Sequence, residues 1–188
     1  MRVKTKPVKL DTPFDTFKKI FIYYWLFSLV GHYGENVWAF SHHLVTGEPF
    51  KAHIVSTIIP LASPYGLGAI AVILLVWPLI KTHKINPFIT FALNVIIAGI
   101  VEYLCAIIAV IFYGHNYFWD YSMKPFNING FICLESVVVF GIAATIFIYF
   151  VYPFIEKIIK RFTKQQLSII FWILFISYIA DTIYTYTK

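Results

Sequence analysis

The chain has 188 residues, of which 60% are hydrophobic, 20% aromatic and only 13% charged; its mean hydropathy is +0.76 and its formal net charge +6. A soluble domain carries about 25% charged residues, so a single water-soluble core is excluded and an integral membrane protein is expected. The positive charge sits in short clusters at the ends of apolar runs, and no nucleic-acid recognition module is present. The expected partner is therefore the lipid bilayer and not nucleic acid.

Residues 1–19 are basic and read as a cytoplasmic N-terminus and helix start. They show no cleavable signal, because residues 1–16 are polar and the apolar run that follows is too long for a signal core. Thr12 suits a helix cap, Pro13 the first helical position and Asp15 the first turn. The first span is Ile20–Phe40. On it His32, Glu35 and Asn36 share one face, and Gly31 and Gly34 permit a close helix neighbour. His32 with Glu35 has metal-ligand spacing, and His42, His43 and His53 follow in the first outer loop. No fourth ligand is set by the spacing, so no metal is expected.

The second run, Ile54–Ile80, contains Pro60, Ser63, Pro64, Tyr65, Gly66 and Gly68. It predicts a kinked or broken helix whose freed backbone groups face protein or a water-filled cavity. Phe88–Gly114 follows and carries Glu102 and Cys105. Between Phe118 and Gly141 the chain reads FWDYSMKPFNINGFICLESVVVFG. This turn-rich stretch places Asp120, Asn127, Asn129, Cys133, Glu135 and Ser136 ahead of and within the fourth span, Phe131–Ile155. Leu167–Thr187, with Asp181, is the fifth. The expected fold is all-α: one transmembrane domain over residues 20–187, a bundle of about five helices with an extracytoplasmic re-entrant or interfacial loop.

Of the 15 Lys and Arg, all but Lys51, Lys124 and Lys188 fall on one side of these spans. That bias predicts a multi-pass plasma-membrane protein with its N-terminus cytoplasmic and its C-terminus extracytoplasmic. At a rise of about 1.5 Å per residue, Glu35, Glu102 and Asp181 lie roughly 21–22 Å from the inner ends of their spans, and Glu135 lies roughly 6 Å below the outer boundary. In a core about 30 Å thick, all four acids belong to the outer half. No Lys or Arg lies within any span.

Intramembrane ionisable residues mark sites by default. The expectation is an outward-facing acidic and polar cavity that binds a small solute or cation. Its lining would be Glu35, Tyr65, Glu102, Trp119, Asp120, Asn127, Glu135 and Asp181, with the Pro125-Phe126-Asn127 turn folding back over it. One alternative is a membrane-embedded enzyme at the outer leaflet. Glu35, Glu102 and Asp120 would then act as acid or base, Cys133 or Ser136 as nucleophile, and Asn127 or backbone amides would stabilise charge. Another is a non-catalytic assembly or sensor subunit. The two cysteines form no disulfide framework and no CxxC metal motif, and read as buried small apolar residues.

The run Trp119-Asp120-Tyr121-Ser122-x-x-Pro125-Phe126-Asn127-x-x-Gly130-x-x-Cys133-Leu134-x-Ser136, followed by Phe140-Gly141, resembles the signature of the CmpB-like bacterial ABC-transporter-type permeases. Pro64-Tyr65-Gly66-Leu67-Gly68-Ala69 resembles that family's second-helix segment, and Gly31 with Glu35 and Glu102 with Tyr103 match its first and third helices. The resemblance covers residues 20–155. It departs at His32, where the family has tryptophan, and at Phe131 and Glu135, where basic residues are expected; the Arg-Gly segment before the second-helix proline is absent. The resemblance implies the membrane component of a transporter. With no Walker A motif, the chain is expected to hold no cofactor of its own and to use ATP only through a separate ATPase subunit. Five helices are few for a pathway, which implies a homodimer or a partner subunit.

Overall fold

The computed structural model describes residues 12–47, 49, 58–116 and 118–187. Among these residues it is all-α apart from one hairpin of two two-residue strands. The helices are α1 (Pro13–Thr46), α2 (Ser63–His83), α3 (Pro87–Tyr113), α4 (Leu134–Ile146), α5 (Tyr152–Ile159) and α6 (Lys164–Thr187). A π-helical turn, Phe147–Val151, joins α4 to α5, and the hairpin pairs β1 (Asn127–Ile128) with β2 (Ile132–Cys133). Among the described residues four helices are long and apolar enough to cross a membrane: α2, α3, the continuous Leu134–Ile159 rod, and Lys164–Thr185 of α6. The first helix has 34 residues, long enough at about 1.5 Å per residue. His32, Glu35 and Asn36 lower its hydropathy, and it is not among the four.

Local chemistry sets the helix ends. Thr12 Oγ1 accepts from the Asp15 N–H at 3.1 Å and Asn86 Oδ1 from the Ile89 N–H at 2.9 Å, each ahead of a proline that needs no donor. Gly47 (φ 75°) and Gly114 (φ 78°) close α1 and α3 in the left-handed conformation. The first helix therefore runs to Thr46, and His42 and His43 lie on it, not in the outer loop where the sequence suggested; His53 lies outside the described residues. The second helix begins only at Ser63, so the expected break falls at its start. Pro64 sits in the first turn, where the missing N–H costs nothing.

The contacts group the chain into two compact units. One comprises Met1–Leu67 and Lys157–Lys188. Here α1 and α6 run side by side in the same direction, joined by aromatic edges. Phe17 and Phe21 meet Phe171 at 5.9 and 5.5 Å, Phe21 meets Phe175 at 5.5 Å, and Tyr24 meets Tyr178 at 6.2 Å. Lys18 closes the end of this seam by donating to Ser168 Oγ at 3.2 Å. The beginning of α2 crosses α1 where side chains are missing. A Cβ at Gly31 would collide with Tyr65, and one at Gly66 with Ser28 Oγ and the Tyr24 carbonyl.

The other unit is Gly68–Glu156, built around the antiparallel hairpin of α3 and α4. Gly141 lies directly on Val95, leaving no room for a Cβ. Pro153 cannot donate to the carbonyl four residues earlier. The π turn ahead of it takes up the mismatch, with the Tyr152 N–H bonding Phe147.

Candidate functional site

The polar centre of the second unit is Glu102, on α3, 6% exposed. Ser136 Oγ lies 3.1 Å from its Oε2, and the Tyr121 hydroxyl donates to Oε1 over a long 3.4 Å. Three segments thus converge on one carboxyl: α3, the first turn of α4 and the signature loop. Ser136 is held by its helix. Its N–H donates to Cys133 Sγ at 3.4 Å, and its Oγ accepts from the Cys133 N–H at 3.3 Å, a reciprocal capping box. Cys133 is the N-cap of α4 and only 2% exposed.

The signature loop folds around its own polar groups. Asn127 donates to the Ser122 and Lys124 carbonyls at 3.2 and 2.8 Å and accepts from the Gly130 N–H at 3.0 Å. Asp120 Oδ1 accepts from the Ser122 N–H at 2.9 Å, and this bond holds the Asp120 carboxyl below its ordinary range. Trp119 Nε1 donates to the Phe131 carbonyl at 2.6 Å, and Asn129 donates to the Tyr103 hydroxyl at 2.7 Å. Burial, and then the nearby Glu102, raise the Tyr121 hydroxyl. Lys124 pairs with Glu135 at 2.8 Å on the exposed rim, which raises the lysine. Phe126, Asn129 and Gly130 take φ of 54°, 55° and 70° to close the turns.

The structure therefore brings Glu102, Trp119, Asp120, Asn127, Cys133, Glu135 and Ser136 into one unit, with unequal parts. Glu102 is buried at the junction. Trp119, Asp120 and Asn127 spend their hydrogen-bonding groups on the loop, Cys133 on the cap and Glu135 on Lys124.

Below Glu102 the α3–α4 seam holds polar residues that the sequence reading passed over. Asn94 donates to Thr145 Oγ1 at 3.0 Å, and Thr145 donates to the Gly141 carbonyl at 2.7 Å. Thr90 meets the Tyr149 hydroxyl at 3.0 Å. Thr90 and Asn94 are fully buried, and Asn94 Oδ1 has no partner among the described residues. Their four-residue spacing on both arms was the available signal.

Glu35, Tyr65 and Asp181 belong to the first unit. Asp181, 8% exposed, accepts the Ile58 N–H at 2.9 Å and the Ile59 N–H at 2.8 Å, one on each carboxyl oxygen. The neighbouring Ala62 N–H bonds the Ser28 carbonyl at 3.1 Å. These contacts satisfy the non-helical backbone ahead of α2, as an apolar environment demands. Tyr65 packs on Gly31. On the His32 face, Asn36 donates to the His32 carbonyl at 3.0 Å. Among the described residues no group of three or more His, Cys, Asp and Glu is placed to hold a metal ion.

No curated protein and no solved structure matches the chain. A family model described as "Putative ABC-transporter type IV" matches residues 22–186, which takes in both units. The chain is a multi-pass membrane protein and belongs to this CmpB family of ABC-transporter-type components.

Proposed function

We propose that the chain is the membrane subunit of a transporter whose solute-handling centre is Glu102 with Ser136 and Tyr121. The observation that carries this reading is a buried carboxyl on a membrane-spanning helix, held among the described residues by two hydroxyl groups, in a chain whose Lys and Arg lie at the ends of its spans or outside them. Such a group has no countercharge of its own and suits a cation or cationic solute. The hydroxyl donors are exchangeable, so an incoming ligand replaces weak hydrogen bonds and breaks no ion pair. The bias in Lys and Arg supports an N-terminus inside and a C-terminus outside, which places Glu102 in the outer half. ATP enters through a separate ATPase subunit that meets the inner turns near Lys84 and Arg161. Two copies, or a copy with a partner, complete the pathway. Glu35 remains a second candidate ligand in the first unit.

The enzyme reading loses its best nucleophile, because the Cys133 sulfur is buried and caps α4. The transport reading is tested in vesicles that contain the chain and its ATPase. ATP-dependent uptake of a panel of monovalent cations, divalent cations and small amines is measured for the parent and for Glu102→Gln. The glutamine keeps an acceptor for Ser136 or Tyr121 and removes the charge. Uptake that needs the carboxyl supports the reading; uptake equal in both proteins rejects Glu102 as its centre.

A further inference from the structure

The signature hairpin lies low against α3. Asn129 reaches Tyr103, Tyr121 reaches Glu102, and Ile128 and Ile132 line a groove with Ile96, Gly99 and Ile100. Tyr103 is ten residues short of the end of α3 at Tyr113, so at about 1.5 Å per residue α3 extends roughly 15 Å past the hairpin. That extension is apolar and bare: Ile111 is 72% exposed and Phe112 77%. A bilayer that covers Phe112 also covers the level of the hairpin.

The hairpin is built for such a place. Strand pairing puts Asn127 opposite Cys133, so Phe126 stands level with Leu134, the first residue of a membrane-spanning rod. Its backbone bonds close internally, Tyr121 N–H to Gly130 and Phe131 N–H to Ile128, as lipid contact requires. Its most exposed large side chains are apolar, with Met123 95% exposed and Phe126 80%, beside the exposed polar Ser122, Lys124 and Asn129. Phe126 is held there in a left-handed conformation, φ 54°, that bulky residues rarely adopt. Lys124 carries its charge on a flexible stem toward the headgroups, already paired with Glu135. The groove of about 490 Å³ is walled by apolar side chains and floored by Gly99, within the roughly 300–1,000 Å³ of small-molecule sites.

We propose that this face is a lipid-docking surface: the Met123–Phe126 tip dips into the leaflet, and a phospholipid acyl chain lies in the groove between α3 and the hairpin. It rests on the membrane location alone and is independent of the transport reading. The test places an environment-sensitive fluorophore on single cysteines, Phe126→Cys for the tip and Ile128→Cys for the groove, in the full chain in phosphatidylethanolamine–phosphatidylglycerol vesicles. Both positions are exposed, so neither label disturbs packing. The native Cys105 and Cys133 are buried, and the unmutated protein reports their background. Lipids spin-labelled on the acyl chain should remove most of the emission at both sites, while aqueous iodide leaves it unchanged. Iodide quenching at either site would place the hairpin in water and overturn the proposal. Protection of Ile128→Cys from both quenchers would show a protein neighbour, such as a second copy, in the groove and would overturn it equally.

Discussion

Replacing Asp181 with alanine removes both acceptors of the Ile58 and Ile59 N–H groups, at 2.9 and 2.8 Å. A hydrogen bond to a charged acceptor contributes about 1.5–3 kcal/mol, so the pair amounts to about 3–6 kcal/mol. Ile58 is 70% exposed, so its backbone can relax after the substitution, which moves the expectation to the lower end, about 3–4 kcal/mol. Amide exchange at Ile58 and Ile59, read by mass spectrometry in nanodiscs, should then accelerate by about 150- to 800-fold, and the thermal midpoint in mild detergent should fall. Exchange at the α3–α4 seam should not change. If Asp181 instead served mainly as a solute ligand, Asp181→Ala would abolish uptake with exchange and midpoint unaltered, which would refute its structural role.

Gly66→Ala forces a Cβ against Ser28 Oγ and the Tyr24 carbonyl; a loss of about 1–3 kcal/mol is expected in detergent unfolding. Cys133→Ser replaces the sulfur acceptor at the α4 cap by an oxygen and should match the parent in stability and uptake, whereas Cys133→Ala should lose about 1 kcal/mol. Alkylation of native Cys133 should be slow until the protein is denatured, because the sulfur is buried. The Asp120 carboxyl is held below its ordinary 3.8 in the folded loop by the Ser122 N–H. Its contribution is therefore fully present above that value and is lost only as pH falls below it. Trp119 fluorescence should stay flat from neutral pH to about 5 and change only in stronger acid, and Asp120→Asn should remove that transition. Lys124 is raised above 10.5 by Glu135, so the same loop should loosen only as pH rises beyond that value.

The helices were legible because hydropathy and end signals agree. Thr12-Pro13 and Asn86-Pro87 start α1 and α3, and Gly114 ends the third helix where the apolar run stops. The end of α1 was missed although its signal was present: Gly47 stands just past His43-Leu44-Val45-Thr46, and a hydropathy cut at Phe40 hid it. By sequence Cys133 reads as a buried small apolar residue or, in the enzyme alternative, a nucleophile, because helix caps favour oxygen side chains. The Ser136 spacing that makes it a cap is nonetheless in the sequence. Asp181 carried no such signal. Its partners are main-chain N–H groups, which every residue but proline possesses and no sequence pattern distinguishes.

The same distinction divides the acids once grouped together by depth. Depth along a helix is a one-dimensional quantity and ranks Glu35, Glu102, Glu135 and Asp181 alike; what separates them is the chemistry of their partners. Asp181 meets two backbone donors of the non-helical segment ahead of α2, which no solute displaces without rearranging that segment. Glu135 meets the ammonium of Lys124, on its flexible stem, at an exposed rim. Glu102 alone among these three is buried against hydroxyls, which can turn to water, a cation or each other without any change of backbone. A carboxyl whose partners are exchangeable and whose position is fixed by helix packing can bind and release a ligand. Gly141 on Val95 supplies that packing, so the small-residue contact of α3 with α4 and the chemistry of Glu102 form one design.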